Sequence, residues 1–176
     1  MTPQSAIDQI TVEWSMSETC IIWLRYHAAG NVGEVSLPDG LDQSQRMDGL
    51  WQNTCFELFL GEPRTERYSE FNFSPSGNWA AYSFDHYRNG MDPLALAQSP
   101  EIYMDFSDTH MALEVTFGLP DIWMREEFDA GLSAVIEMQD GEKSLWALAH
   151  PAANPDFHHR DGFACASSFG DTGPCP

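Results

Sequence analysis

The sequence predicts an all-β fold: an antiparallel β-sandwich of about ten short strands, with jelly-roll-like or immunoglobulin-like layers. Three observations predict it. Segment after segment alternates apolar and polar residues at the two-residue period of a half-buried strand. Turn-forming clusters separate those segments at regular spacing. Helical periodicity is scarce, with one or two turns at most in Pro93–Gln98 and Asp121–Glu127.

The elements follow in order. Ile10, Val12 and Trp14 alternate with Thr11 and Glu13, and the run Thr19–His27 returns after a turn at Ser15–Glu18, so a hairpin opens the chain. Val32–Leu37 reads as a short third strand, ended by Pro38-Asp39-Gly40. Asn53–Leu60, Tyr68–Ser74 and Trp79–Phe84 carry the clearest signal, and Pro75-Ser76-Gly77-Asn78 is a tight turn between the last two. Further strands are expected at Ile102–Phe106, Leu113–Phe117, Leu132–Glu137, Leu145–Ala149 and Gly162–Ala166. Hairpin turns are expected at Asp108-Thr109-His110 and Asp140-Gly141. No repeat or composition break divides the chain, so residues 1–176 are read as a single domain.

A chain of 176 residues, 43% of them hydrophobic, has the material for a core. Its charge is lopsided: 27 acids face 8 bases, and Lys143 is the sole lysine. A formal charge of −19 repels phosphate backbones and anionic lipid, which excludes nucleic-acid binding and membrane docking as expectations. A strongly solvated surface explains such a charge; a patch for cations or a basic partner is the functional alternative. The start of the chain has no basic and apolar leader pattern, and no apolar run approaches a bilayer span, so a cytoplasmic protein is expected. In a reducing compartment Cys20, Cys55, Cys165 and Cys175 are expected to be free thiols; the first three lie in strand-like segments.

The period of the Asn53–Leu60 strand puts Cys55, Glu57 and Phe59 on one face and Phe56, Leu58 and Leu60 on the other. Glu57 is then a carboxylate inside an apolar run, which needs either an ion-pair partner or a cleft. Glu70, Asn72 and Ser74 share one face of the next strand, opposite Phe71 and Phe73. That face is either an ordinary solvated surface or a polar platform edged by aromatics. The second arrangement is how proteins hold a polyol: planar side chains take the ring face, and amides and carboxylates take the hydroxyls. Arg88 either neutralises a nearby acid or clamps an anionic ligand. His150, Asp156, His158 and His159 crowd one loop, but their spacing matches no standard zinc motif, so no metal site is expected. No phosphate loop, dinucleotide fingerprint or nucleophile elbow is present, so no catalytic residue is assigned.

The stretches Gly49-Leu50-Trp51-Gln52-Asn53-Thr54-Cys55-Phe56-Glu57, Tyr68-Ser69-Glu70-Phe71-Asn72-Phe73-Ser74-Pro75-Ser76-Gly77 and Trp79-Ala80-Ala81-Tyr82-Ser83-Phe84-Asp85-His86-Tyr87-Arg88-Asn89-Gly90-Met91 resemble the DOMON-like family. Trp146-Ala147-Leu148-Ala149-His150-Pro151 and Pro155-Asp156-Phe157-His158-His159 resemble it again. The resemblance spans about Trp14 to Cys165. It implies a sandwich related to type-nine carbohydrate-binding modules and to haem-binding domains, and ligand binding rather than catalysis. Haem-binding relatives use Met and His ligands; Met47, Met91, His86 and His150 are available here but match no known ligand position, and no cofactor is expected.

The resulting expectation is a non-catalytic domain that binds a small polar ligand, a sugar above all. Trp51, Trp79 and Trp146 would be platforms, and Glu57, Glu70, Asn72, Arg88, His150 and His158 polar contacts. Trp51, Glu57, Glu70, Asn72, His150 and His158 are expected to meet on one concave surface. The alternatives are a haem or redox accessory domain, a saccharide-acting lyase or hydrolase, and an interaction module with no small ligand.

Overall fold

A computed structural model describes residues 5–40, 44–123, 127–168 and 172–174. The described residues form two antiparallel sheets packed face to face, with helix limited to single 3-10 turns. The strands are β1 (Ile7–Met16), β2 (Ile21–Gly30), β3 (Cys55–Gly61), β4 (Tyr68–Phe73), β5 (Trp79–Phe84), β6 (Asp92–Pro93), β7 (Glu101–Phe106), β8 (His110–Gly118), β9 (Glu127–Glu137), β10 (Lys143–Ala147), β11 (Cys165–Ser168) and β12 (Thr172–Pro174). The smaller sheet runs β12-β1-β2-β8-β7. The larger runs β10-β9-β3-β4-β5-β6, with β11 also pairing with β9. This is the all-β sandwich that the alternation predicts.

Several elements differ from expectation for local reasons. Val32–Leu37 is not a strand: Val32–Glu34 forms a 3-10 turn, and Val35 makes one isolated bridge to Met138. Pro93 to Gln98 is not helical; Asp92–Pro93 pairs briefly with β5. Pro93 fits there because an edge position asks for no second ladder donor. Asp121–Trp123 is a single 3-10 turn, and the rest of that expected helix lies outside the described residues. The expected strand at Gly162–Ala166 begins later, at Cys165, because Arg160–Gly162 is itself a 3-10 turn. Cys20 and Cys55 are free and buried; the side chain of Cys165, and Cys175 altogether, lie outside what is described.

Between the sheets, Leu24 and Tyr26 of β2 and Leu113, Val115 and Phe117 of β8 meet Phe56, Leu58, Phe71, Phe73, Leu132 and Ile136 of the larger sheet. Phe117 packs against Phe71 and Phe73 with ring centroids 5.1 and 5.4 Å apart. The Tyr26 hydroxyl crosses the layer and donates to the Glu57 carbonyl at 2.7 Å. Fully burying each such side chain contributes about 1.5–3 kcal/mol.

The larger sheet departs from the usual antiparallel pattern of one dry and one wet face. Every residue of β3 and β4 is buried. Their outer face carries a second apolar cluster: Leu50, Cys55, Phe59, Tyr68, Ala80, Tyr82, Phe84 and Phe163. Three connecting segments cover it: the turn Leu50–Gln52, the loop after β5, and the segment before β11. The solvated-surface reading of the Glu70–Asn72 face is therefore overturned.

Candidate functional site

Register places the polar groups. Across the outer face of the larger sheet, Ser133, Glu57, Asn72 and Ala80 lie in one row. Gly131, Phe59, Glu70 and Tyr82 form the next, and Asp129, Gly61, Tyr68 and Phe84 the third. Glu57 and Glu70 are thus diagonal neighbours on adjacent strands, within reach of each other's field. Leu145 of β10 sits opposite Val135 of β9 on the same face.

Above these rows is a cavity of about 400 Å³. Glu57 and Glu70 line it with His158 and Arg88, and Trp51, Phe84, Phe157, Met91, Leu145, Val135 and Pro155 complete its walls. Both carboxylates are deeply buried, at 2% and 5% exposure. Glu57 accepts a hydrogen bond from the Ser133 hydroxyl at 2.9 Å, and Glu70 accepts one from the Asn72 amide at 2.6 Å. Burial, then repulsion from Glu70, raises the Glu57 carboxyl to about 8, against the pull of Ser133 and Arg88. Burial also raises Glu70, opposed by the Asn72 hydrogen bond and by Arg88.

His158 is positioned by Tyr68. The Tyr68 hydroxyl lies 2.8 Å from His158 Nδ1 and accepts the Arg88 backbone N–H at 3.1 Å. A phenol oxygen already accepting one N–H is best placed to donate its own proton to Nδ1, which leaves the ring proton on Nε2. Nε2 is 3.8 Å from the Glu70 carboxylate. Burial and the Arg88 charge lower the His158 ring to about 4, with Asp156 pulling the other way. The imidazole is therefore neutral at pH 7, and its approach to Glu70 is not an ion pair. Phe59 and Phe84 hold the ring edge-on, each at 5.3 Å.

The roof is tied down at both ends. Arg88, in a left-handed backbone conformation at φ 52°, donates to Asp156 at 2.8 Å, and the Tyr87 hydroxyl donates to the other oxygen of the same carboxylate at 2.5 Å. Burial would raise Asp156, but Tyr87, Arg88 and the His158 N–H together hold it below its ordinary value. At the far end Arg160 donates to the carbonyls of Arg67 and Glu62 and to the Asp129 carboxylate. Its guanidinium lies over Gly61, where a Cβ would stand 2.3 Å from it, so only glycine leaves the notch open. On the opposite side of the cavity Gly49, at φ 79°, turns the chain into Leu50–Gln52. That turn buries Leu50 and leaves Trp51 at the rim, 40% exposed and edge-on to Tyr82 at 6.1 Å.

The structure thus gathers Trp51, Glu57, Glu70, Arg88 and His158 around one cavity, with Asn72 buried beside Glu70. It does not bring the others there. Trp79 faces the layer between the sheets, 7% exposed, with the Arg46 guanidinium 5.6 Å from its ring centre. Trp146 also points to that side, because its neighbour Leu145 takes the outer face, and it donates to Ser144 at 3.0 Å. His150 is exposed beyond β10, with its ring 6.4 Å from Phe157. Arg88 neutralises Asp156, the ordinary one of its two expected roles. Of the possible haem ligands, Met91 alone lines the cavity; Met47, His86 and His150 stand away from it, each exposed. Among the described residues no three His, Cys, Asp or Glu side chains group as metal ligands.

Sequence reasoning missed Tyr68, Phe84, Ser133, Leu145 and Phe157. Parity could have found four of them: Tyr68 alternates with Glu70, Phe84 shares its face with Tyr82, and Ser133 is the lone hydroxyl within Leu132–Ile136. Leu145 is the outward partner of Trp146. Phe157 lies in a loop, where no period speaks.

No protein-family model matches the chain, and no curated protein matches it. Among solved structures, the chain is similar to a "putative carbohydrate-binding protein" from Bacteroides uniformis, with a TM-score of 0.61 at 12% identity. The match covers 92% of this chain and 78% of the other. At that identity the likeness is one of fold. The DOMON-like resemblance rests on the motifs quoted above.

Proposed function

We propose that the protein binds a carbohydrate in the cavity over the outer face of its larger sheet. The observation that carries this reading is the pairing of two buried carboxylate acceptors, Glu57 and Glu70, with aromatic walls from Trp51, Phe84 and Phe157. Flat apolar rings suit the C–H faces of a pyranose, and the carboxylates and the His158 N–H suit its hydroxyls. A volume of about 400 Å³ is within the range of small-ligand sites. The name carried by the Bacteroides neighbour agrees. Calorimetric titration with a panel of oligosaccharides tests the reading. Binding by the natural chain that falls at least about tenfold in Trp51→Ala supports it; a panel that gives no binding, or binding indifferent to Trp51, removes it.

A second reading has one observation in its favour. Glu57, raised to about 8, keeps a proton at neutral pH beside a second buried acid, Glu70, and a saccharide-acting hydrolase uses two facing acids as general acid and base. Release of aryl alcohol from aryl glycosides, abolished in Glu57→Gln, is the outcome that reading requires; no turnover across the panel disposes of it.

A further inference from the structure

Resting on the binding reading above, we propose that the preferred ligand is a sugar with a free protonated amino group, received by Glu57 and Glu70.

The cavity has acceptors to spare, and the one cation in its wall, Arg88, makes no hydrogen bond to either acid among the described residues. Glu57 Oε2 has Ser133 and Glu70 Oε1 has Asn72. Glu57 Oε1 and Glu70 Oε2 accept no hydrogen bond among the described residues; His158 Nε2 stands 3.8 Å from the latter. Both side chains are more than nine-tenths buried and both face the cavity. An ammonium group has three donors and fits two such oxygens at once.

The charged groups around the pair are already committed. The Arg88 guanidinium gives its Nη2 to Asp156 at 2.8 Å, so its charge is shared with a third acid. His158 has its Nδ1 occupied by Tyr68 and is neutral at pH 7. Cys55, on the same strand face as Glu57, and Tyr26, which bonds the Glu57 carbonyl, are both buried and pushed well up by burial and by Glu57, so both stay neutral and neither adds charge to the site. Within the site a cation replaces the proton that Glu57 otherwise keeps, and it relieves the repulsion between the two acids. An anionic sugar, such as a phosphorylated one, would face both carboxylates and is disfavoured. Trp51, Phe84 and Phe157 line the same cavity, and aromatic rings attract an ammonium group. The net charge of −19 draws cations to the molecule before any contact is made.

The test compares three trisaccharides of the same β-1,4 linkage and size: glucose, glucosamine and N-acetylglucosamine trimers. Calorimetry near pH 7, where the sugar amine still carries much of its proton and Glu57 keeps its own, is expected to show the glucosamine trimer at least about tenfold tighter than either of the others. Below that pH its affinity falls, and the heat varies with the ionisation heat of the buffer, because a proton leaves the acid pair on binding. The glucose trimer shows neither effect. In Glu57→Gln, with a melting curve confirming the fold, the preference is expected to shrink to less than about threefold. Equal affinities, a preference for the acetylated trimer, or a preference that survives in both Glu57→Gln and Glu70→Gln would overturn the amine assignment while the carbohydrate reading stands. If none of the three binds and no other sugar does, both fall.

Discussion

Replacing Glu57 with glutamine should make the protein more stable, and more so the higher the pH. In the unfolded chain a glutamate titrates at its ordinary value of 4.5, whereas folded Glu57 titrates near 8. Between those values the folded state binds more protons than the unfolded state, so stability falls as pH rises. At about 1.4 kcal/mol per unit, the full cost of the shift approaches about 5 kcal/mol above pH 8, of which roughly 3 is already present at pH 7. Glutamine carries no charge in either state and escapes that cost. Its carbonyl still accepts from Ser133, but its new amide needs a partner in the cavity, so the net gain is set at about 1–3 kcal/mol near pH 8. At about 2–4 °C per kcal/mol for a chain of this size, the melting temperature should rise by roughly 3–10 °C near pH 8. Near pH 5 the raised carboxyl costs less than about 1 kcal/mol, the unpartnered amide outweighs it, and the variant should melt at or a few degrees below the natural protein. Scanning calorimetry across that range is the assay. A variant that melts lower at pH 8, or gains as much at pH 5 as at pH 8, would refute the claim that burying this carboxylate is what raises it.

Three further outcomes follow from the same geometry. Tyr68→Phe leaves the Arg88 N–H and His158 Nδ1 without partners, at a cost of about 1–3 kcal/mol by urea unfolding, and amide exchange should quicken in residues 86–91 and 156–163. Asp156→Asn loosens the same two segments at pH 7. Because Asp156 is held low, its contribution is present above the ordinary carboxylate range and vanishes as pH falls through the lowered value, so exchange in variant and natural protein should converge in acid. With Arg88 about half exposed, the stability change should stay below about 1 kcal/mol. Cys55, fully buried and with its thiol pushed well up by burial and by the Glu57 and Glu70 carboxylates, should resist an aromatic disulfide reagent until denaturant is added; rapid labelling of Cys55 in the native protein would contradict its placement.

The fold was legible because a two-residue period states which side chains share a face, and the faces read for Cys55–Leu60 and Tyr68–Ser74 are those observed. What period cannot state is which face meets the opposite sheet and which meets a loop. Glu57 stands out as an acid within an apolar run, which demands an explanation, and Glu70 stands out through the polar face it shares with Asn72 and Ser74. Trp79 and Trp146 were misplaced because an indole is equally at home in a core and at a cavity wall. His150 was drawn in by its neighbours in sequence, but β10 ends before it and leaves it in solvent. Arg88 reached the site through a turn whose positive φ no alternation encodes.

The roof over the carboxylates comes from late in the chain, while its anchors come from the middle. Tyr68 and His158 are 90 residues apart, Arg67 and Arg160 are 93 apart, and Arg88 and Asp156 are 68 apart. Closing loops of that length is entropically slow, and each anchor is too weak alone to hold the segment down. The hairpins β3–β4 and β4–β5 form from near neighbours, so the sheet is expected to assemble before the chamber above it exists. Until residues 155–163 dock, Phe59, Tyr68 and Phe84 are an open greasy strip, the part of the molecule most exposed to aggregation during folding. Any molecule that occupies the finished chamber binds only the fully folded chain, and so acts as a thermodynamic chaperone for its last step.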